Sequence, residues 1–134
     1  MWNVTEEFGR NAGEVWNALK DYGPLTETRL KDTVRMGDDQ FYSAVGWLAR
    51  ENKITKEGPV YRIGSTNLTD KIGHDAGRVY DELEQRRTID VCETSTSLHM
   101  DERDVYMALG WLARENKVDA RPTNVPREYQ IHNT

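Results

Sequence analysis

The chain has 134 residues, of which 37% are hydrophobic and 31% are charged. This composition is typical of a soluble chain that forms one ordinary domain or two very small ones, and the length excludes most large enzymes. No run approaches the roughly 18 apolar residues that a membrane-spanning helix needs, and the first residues lack the basic start and apolar stretch of a signal peptide. We therefore expect a cytoplasmic protein without a membrane partner.

Residues that could carry metal or nucleophilic chemistry are few. The single cysteine, Cys92, cannot form an internal disulfide, and the three histidines, His74, His99 and His132, do not fall at metal-ligand spacing. No Ser/His/Asp or Cys/His set has a suggestive spacing either. The sequence therefore predicts a protein that is not an enzyme and that needs no metal and no cofactor.

An internal repeat with an offset of 64 residues is the most informative feature of the chain. The octapeptide GWLARENK occurs at residues 46–53 and again at 110–117, and residues 3–54 match 67–118 without a gap at 18 of 52 positions. A unit of this length suits a small domain better than a solenoid repeat. We predict a first domain at residues 1–66 and a second at 67–134. The two should pack on each other, because a chain of about 60 residues buries only some 60% of its surface.

Each unit shows the same order of predicted elements. Apolar residues at helical spacing predict a first helix, a break at Gly23 and Pro24 precedes a short second helix, and a tight turn leads into a third helix from about residue 38 to 52. Alternating residues around Gly58 and Pro59 then predict a β-hairpin. Three helices followed by a hairpin are the order of a winged helix-turn-helix domain. The sequence thus predicts a mainly α fold with small β-hairpins (α+β), made of two tandem winged helix-turn-helix domains.

Two motifs carry a resemblance to a known family. Residues 11–16, NAGEVW, lie in the first predicted helix, and residues 46–51, GWLARE, lie in the third; the second unit keeps the latter motif and departs from the former at two positions. With these motifs the chain resembles a family of small winged helix-turn-helix domain proteins of bacteria and archaea. The resemblance covers nearly the whole chain. It implies the winged-helix fold and a DNA-binding or regulatory role, and it carries over no catalytic residue.

Glycines inside the predicted helices need a compensating reason. Gly13 and Gly46, with their copies Gly77 and Gly110, each cost about 1 kcal/mol relative to alanine in a helix interior. We expect them at close approaches between the first and third helices, or between one of these and another helix.

The third helix enters the major groove when this fold binds DNA, so its outward face is the functional question. Helical projection places this face opposite the apolar stripe. The first wing adds basic residues. The predicted nucleic-acid-binding residues are Gln40, Ser43, Trp47 and Arg50 of the outward face with Lys53, Lys56 and Arg62 of the wing.

In the second unit the equivalent face predicts an interface instead. It carries Met107, Trp111 and Arg114, and an outward tryptophan beside an arginine is typical of binding hot spots. An alternative reading is that both tryptophans fold back beneath a neighbouring element and are structural. We expect a protein partner or self-association through this second domain.

Charge argues against simple DNA binding. The net charge is -5, and carboxylates cluster at the start of both third helices, at Asp38 and Asp39 and again at Asp101, Glu102 and Asp104. Carboxylates there repel phosphates, although they also complement the helix dipole. The sequence leaves two hypotheses. One is a transcription regulator that binds duplex DNA through the third helix and the first wing; the other is a protein–protein interaction adaptor that does not bind DNA.

Overall fold

The first half of the chain forms three helices and three short strands. The computed structural model describes residues 4–120 and 127–132. Gly23 and Pro24 end the long first helix, and a short strand leads directly into the second. The elements of this half are α1 (Val4–Tyr22), β1 (Leu25–Thr26), α2 (Glu27–Val34), α3 (Asp38–Arg50), β2 (Ile54–Glu57) and β3 (Val60–Ile63).

The second half repeats this order with one local change. Its first helix opens with a π-helical turn (Thr69–Gly73). The predicted tip of its hairpin lies outside the described residues. The elements are α4 (His74–Arg86), β4 (Thr88–Asp90), α5 (Val91–Leu98), α6 (Glu102–Arg114), β5 (Val118–Ala120) and β6 (Glu128–Ile131). The predicted α+β fold with two winged helix-turn-helix units is confirmed.

A strand before each second helix completes a small antiparallel sheet in each half. The strand orders are β1-β3-β2 and β4-β6-β5. Leu25 of β1 lies opposite Tyr61, and Ile89 of β4 lies opposite Tyr129. This register makes Tyr61 and Tyr129 structural equivalents, although the second hairpin is longer. Neither added strand was predicted, because each is only two or three residues long.

The two halves share one hydrophobic core. A single cluster of buried apolar residues contains side chains from both halves, and α3 packs against α6 more extensively than any other two elements pack. Helix α1 covers α3 from one side, and α4 covers α6 in the same way. The expectation that the halves pack on each other is confirmed, and the third helices form the centre of that packing.

Two glycines allow α3 and α6 to approach closely. A Cβ placed on Gly46 would lie 2.7 Å from the carbonyl carbon of Met107, and one on Gly110 would lie 2.7 Å from that of Ser43. Because Met107 and Gly110 are the repeat copies of Ser43 and Gly46, the crossing has local two-fold symmetry. The predicted close approach is confirmed at these two glycines. It is wrong for Gly13 and Gly77, where a Cβ would meet no atom within 4 Å.

Candidate functional site

The outward face predicted for α3 lies largely against α6. Ser43 is fully buried, and its carbonyl group faces Gly110. Gln40 is half-buried, and its Oε1 accepts a hydrogen bond from the backbone N–H of Gly37 at 3.0 Å. Projection from the helix's own apolar stripe was correct that this face turns away from the first domain's core. The second half of the chain occupies that side, so the face is covered by another domain of the same chain.

Arg50 and Arg114 form two reciprocal ion pairs across the crossing. Arg50 Nε donates to Glu115 Oε2 at 3.1 Å, and Arg114 Nε donates to Glu51 Oε2 at the same distance. Both guanidinium groups are about half exposed, so each pair is worth at most about 1 kcal/mol. The guanidinium group of Arg50 thus already pairs with a carboxylate of the same chain.

The two tryptophans contact both halves at once. The Trp47 indole lies against Gly9 of α1, where a Cβ would sit 3.1 Å from its ring, and Trp111 lies in the same way against Gly73. The guanidinium carbon of Arg114 lies 5.7 Å from the Trp47 ring centroid, and Arg50 lies at the same distance from Trp111. Both indoles are partly buried and pack on the shared core. Each tryptophan thus joins the first helix of its own half to an arginine of the other half.

Carboxylates accompany most of the basic residues predicted in the first wing. Lys53 Nζ lies 3.6 Å from Glu51, and Arg62 pairs with Glu57. Lys56 is different: its Nζ lies 5.7 Å from the Tyr61 ring centroid, and it forms no ion pair with any residue that the structure describes. The wing therefore offers one unneutralised ammonium group instead of a continuous basic surface.

The predicted interface residues of the second half contact the first half. Met107 presents its backbone to Gly46, and Trp111 and Arg114 contact Arg50, Glu51 and Trp47. The structure thus brings Ser43, Trp47 and Arg50 together with Met107, Trp111 and Arg114 in one internal interface. Binding of a separate partner by the second half stays a prediction.

A cavity of about 440 Å³ opens between the two halves on one side of this interface. Its walls come from the start of α2, the first wing, the π-helical turn and the start of α6. We call it the seam cavity and define it by Glu27, Tyr42, Tyr61, Ile72, Arg103 and Met107, all of which line it.

The Glu27 carboxylate is held by two buried tyrosines of the seam cavity. The Tyr42 hydroxyl donates to Glu27 Oε2 at 3.0 Å, and the Tyr61 hydroxyl donates to Oε1 at 3.1 Å. Burial and the adjacent carboxylate raise the pKa of both tyrosines, so both stay protonated donors. No described lysine or arginine lies within ion-pair distance of Glu27. This cluster was not predicted from the sequence, although the identity of Tyr42 and Tyr106 in the repeat was a signal for it.

The equivalent place in the second half has no such cavity chemistry. Val91 stands where the first half has Glu27, and Phe8 stands where it has Ile72. The rings of Phe8 and Tyr129 lie 6.2 Å apart between centroids, so a larger side chain packs near the tyrosine here than at the seam cavity. The two copies have diverged at this position.

Metal binding finds no support among residues 4–120 and 127–132. They contain no group of three or more histidine, cysteine, aspartate or glutamate side chains placed to hold a metal ion. None of the described helices combines the length and apolar character needed to cross a membrane.

Comparison with known proteins identifies the family. No curated protein and no solved structure shows significant similarity to the chain. A family model described as winged helix-turn-helix domain (DUF2582) matches twice, over residues 4–61 and 68–127, which together are most of the chain. The two matches coincide with the two structural repeats. The chain therefore belongs to the DUF2582 winged helix-turn-helix family, as a tandem duplication of its domain.

Proposed function

We propose that the protein is a non-enzymatic protein–protein interaction adaptor whose two winged-helix domains hold each other through α3 and α6. One observation carries the proposal: the face of α3 that would enter a major groove is packed against the second domain at Gly46 and Gly110. A helix in the groove needs that face free to contact base edges. Recognition of base edges by α3 would require α3 and α6 to separate.

Electrostatics support the same proposal. The exposed start of α3 carries Asp38 and Asp39, and Arg50 at its end already pairs with Glu115. Nonspecific affinity for DNA comes from lysines and arginines that neutralise phosphates. Groups already paired with carboxylates contribute less to that affinity, because the internal pair must be broken first.

A concave surface in the first half is suited to a protein partner. It is lined by Tyr22, Leu25, Arg29 and Arg35 among others, and Tyr22 is 70% exposed. Neither arginine forms an ion pair with a residue that the structure describes. Tyrosine and arginine are enriched in binding hot spots, and the two guanidinium groups outnumber the one carboxylate of the lining, Asp32, which suits an acidic segment of a partner. The second half has Arg86 and Glu93 in place of Tyr22 and Arg29, so only the first half carries this surface.

A salt series of DNA binding tests the proposal. Fluorescence anisotropy with short mixed-sequence duplexes should show no binding at about 50 mM salt. In affinity capture from cell extract, the wild-type protein should then retain a partner protein in a one-to-one ratio. The Tyr22→Ala and Arg29→Glu variants should not retain that partner. Glu93→Arg, at the matching site of the second half, serves as control and should retain the partner. Tight DNA binding with a steep salt dependence would contradict the proposal.

The second candidate is a transcription regulator that binds duplex DNA through α3 and the first wing. Membership of a winged helix-turn-helix family favours it, and Lys56 supplies a wing ammonium group without a carboxylate partner. In this case Arg50→Ala and Lys56→Ala should each weaken binding and lower the salt slope by up to about one unit. Arg127→Ala, in the second wing, should have little effect.

A further inference from the structure

We infer that the seam cavity binds a small zwitterion, namely a free α-amino acid with an apolar side chain. The seam cavity lies apart from the surface at Tyr22, Arg29 and Arg35 and shares Lys56 with the DNA contacts of the second candidate, and amino-acid binding depends on neither function. Its volume of about 440 Å³ lies within the range of small-molecule sites, and its lining combines apolar side chains with five charged ones, which suits a ligand that is itself both apolar and charged.

Glu27 would receive the ammonium group of the ligand. Its two carboxylate oxygens each accept one tyrosine hydrogen bond, which fixes the carboxylate but uses only half of its acceptor capacity. No described cation lies within ion-pair distance of the remaining lone pairs, and Lys31 and Arg103 act on the carboxylate only from farther away. A half-buried carboxylate with unused acceptor capacity favours a ligand that brings its own N–H donors and positive charge.

Lys56 and Arg103 would receive the carboxylate group of the ligand. Lys56 lines the cavity and forms no ion pair with any described residue, and the one ion-pair partner of Arg103 among the described residues is Asp101, at 3.4 Å. The third basic residue of the lining, Lys71, is different because Asp75 and Asp104 already hold its ammonium group. The cavity thus presents one open negative group and a cationic rim, which together complement a zwitterion.

Apolar residues of the second half would contact the ligand's side chain. Leu68, Ile72 and Met107 line the cavity opposite the first wing. At the equivalent place of the other half, the larger Phe8 stands at the position of Ile72 and packs near Tyr129. The isoleucine and the carboxylate occur together in the first site and are both absent from the second. This paired divergence is what a site that gained or kept a ligand on one side would show.

Isothermal titration calorimetry of the full chain with L-leucine, L-methionine and L-phenylalanine tests the inference. At least one should bind with a dissociation constant in the millimolar range or tighter. The N-acetyl derivative lacks the positive charge and the amide derivative lacks the negative charge, so each should bind at least about tenfold more weakly. Absence of binding by all three amino acids would overturn the inference. Equal binding of either derivative would do so as well, since it would show that the zwitterion is not what is recognised.

Variants of the cavity locate the binding. Glu27→Gln should weaken binding at least about tenfold, whereas Glu57→Gln, in the first wing but outside the cavity lining, should leave it unchanged. Lys56→Ala should weaken binding, with Lys53→Ala as its control. Ile72→Phe should abolish binding by filling the cavity; if that variant does not fold, Leu68→Trp at the half-buried rim replaces it. Unchanged affinity in Glu27→Gln would place the ligand elsewhere and overturn the assignment.

Discussion

Arg50 and Glu115 form one of two equivalent ion pairs that frame the crossing of α3 and α6. The Arg50–Glu115 and Arg114–Glu51 distances are both 3.1 Å, and each arginine lies 5.7 Å from the centroid of the other half's tryptophan ring. Equal geometry on both sides means that the conserved GWLARE sequences of the two repeats recognise each other. The repeat thus preserves an interface.

These pairs should contribute measurably but modestly to stability. A double-mutant cycle with Arg50→Ala and Glu115→Ala, followed by urea unfolding, should give a coupling free energy of about 0.5 to 1 kcal/mol. The Arg114 and Glu51 cycle should agree with it, because the two sites have the same geometry. Coupling in one cycle and none in the other would contradict the two-fold relationship.

The tryptophans should matter more than the ion pairs. Trp47→Ala and Trp111→Ala should each lower the free energy of unfolding by about 2 to 3 kcal/mol, less than full core truncation because both indoles are only partly buried. Trp→Phe at either site should recover part of the loss by keeping an aromatic ring against the glycine. Thermal and urea unfolding measure both effects. A change below about 0.5 kcal/mol at either site would show that its indole does not join the halves.

The repeat, the fold class and the packing of the halves could be predicted from the sequence, because apolar periodicity and identity at a fixed offset are local signals. The partner of α3 could not. Projection identifies the face that turns away from one core, but it does not distinguish solvent from a second domain. Gly46 and Gly110 were the available clue, since glycine in a helix interior indicates a close neighbour. Their copies in the first helices, Gly13 and Gly77, gave the same signal without a contact.

The seam cavity was beyond sequence reasoning for a different reason. Tyr42 lies 15 residues after Glu27 in the chain, and Tyr61 lies 34 residues after it. No motif spacing joins residues so far apart. The register of β1 with β3 brings them together, and β1 is a strand of two residues that no pattern predicts.

Buried tyrosines should make the protein sensitive to alkaline pH. Burial is the main cause that raises the pKa of Tyr106, to about 12; Arg127 opposes this and Asp39 adds to it. An unfolded tyrosine has a pKa near 10, so the unfolded chain loses its proton first. The contribution of Tyr106 to stability should therefore be complete below about pH 10 and should decline as pH rises toward 12.

Urea unfolding between pH 8 and pH 11 in roughly half-unit steps measures this dependence. Lysines also titrate in this range, so the comparison is between wild type and Tyr106→Phe. The free energy of unfolding should fall less steeply with pH in the variant than in the wild type, with a difference in slope of up to about 1.4 kcal/mol per pH unit. Identical slopes for both proteins would show that the Tyr106 hydroxyl is not held in its protonated form by the fold.

The central claim is that α3 and α6 hold the two domains together. The free energy of unfolding of four glycine-to-alanine variants tests it most directly. Gly46→Ala and Gly110→Ala place a methyl group against backbone of the opposite helix. Each should lose at least about 2 kcal/mol, because overpacking outweighs the gain of about 1 kcal/mol in helix propensity. Gly13→Ala and Gly77→Ala meet open space and should gain about 0.5 to 1 kcal/mol. Stabilisation by all four substitutions would contradict the claim, since it would mean that the two helices do not touch at Gly46 and Gly110.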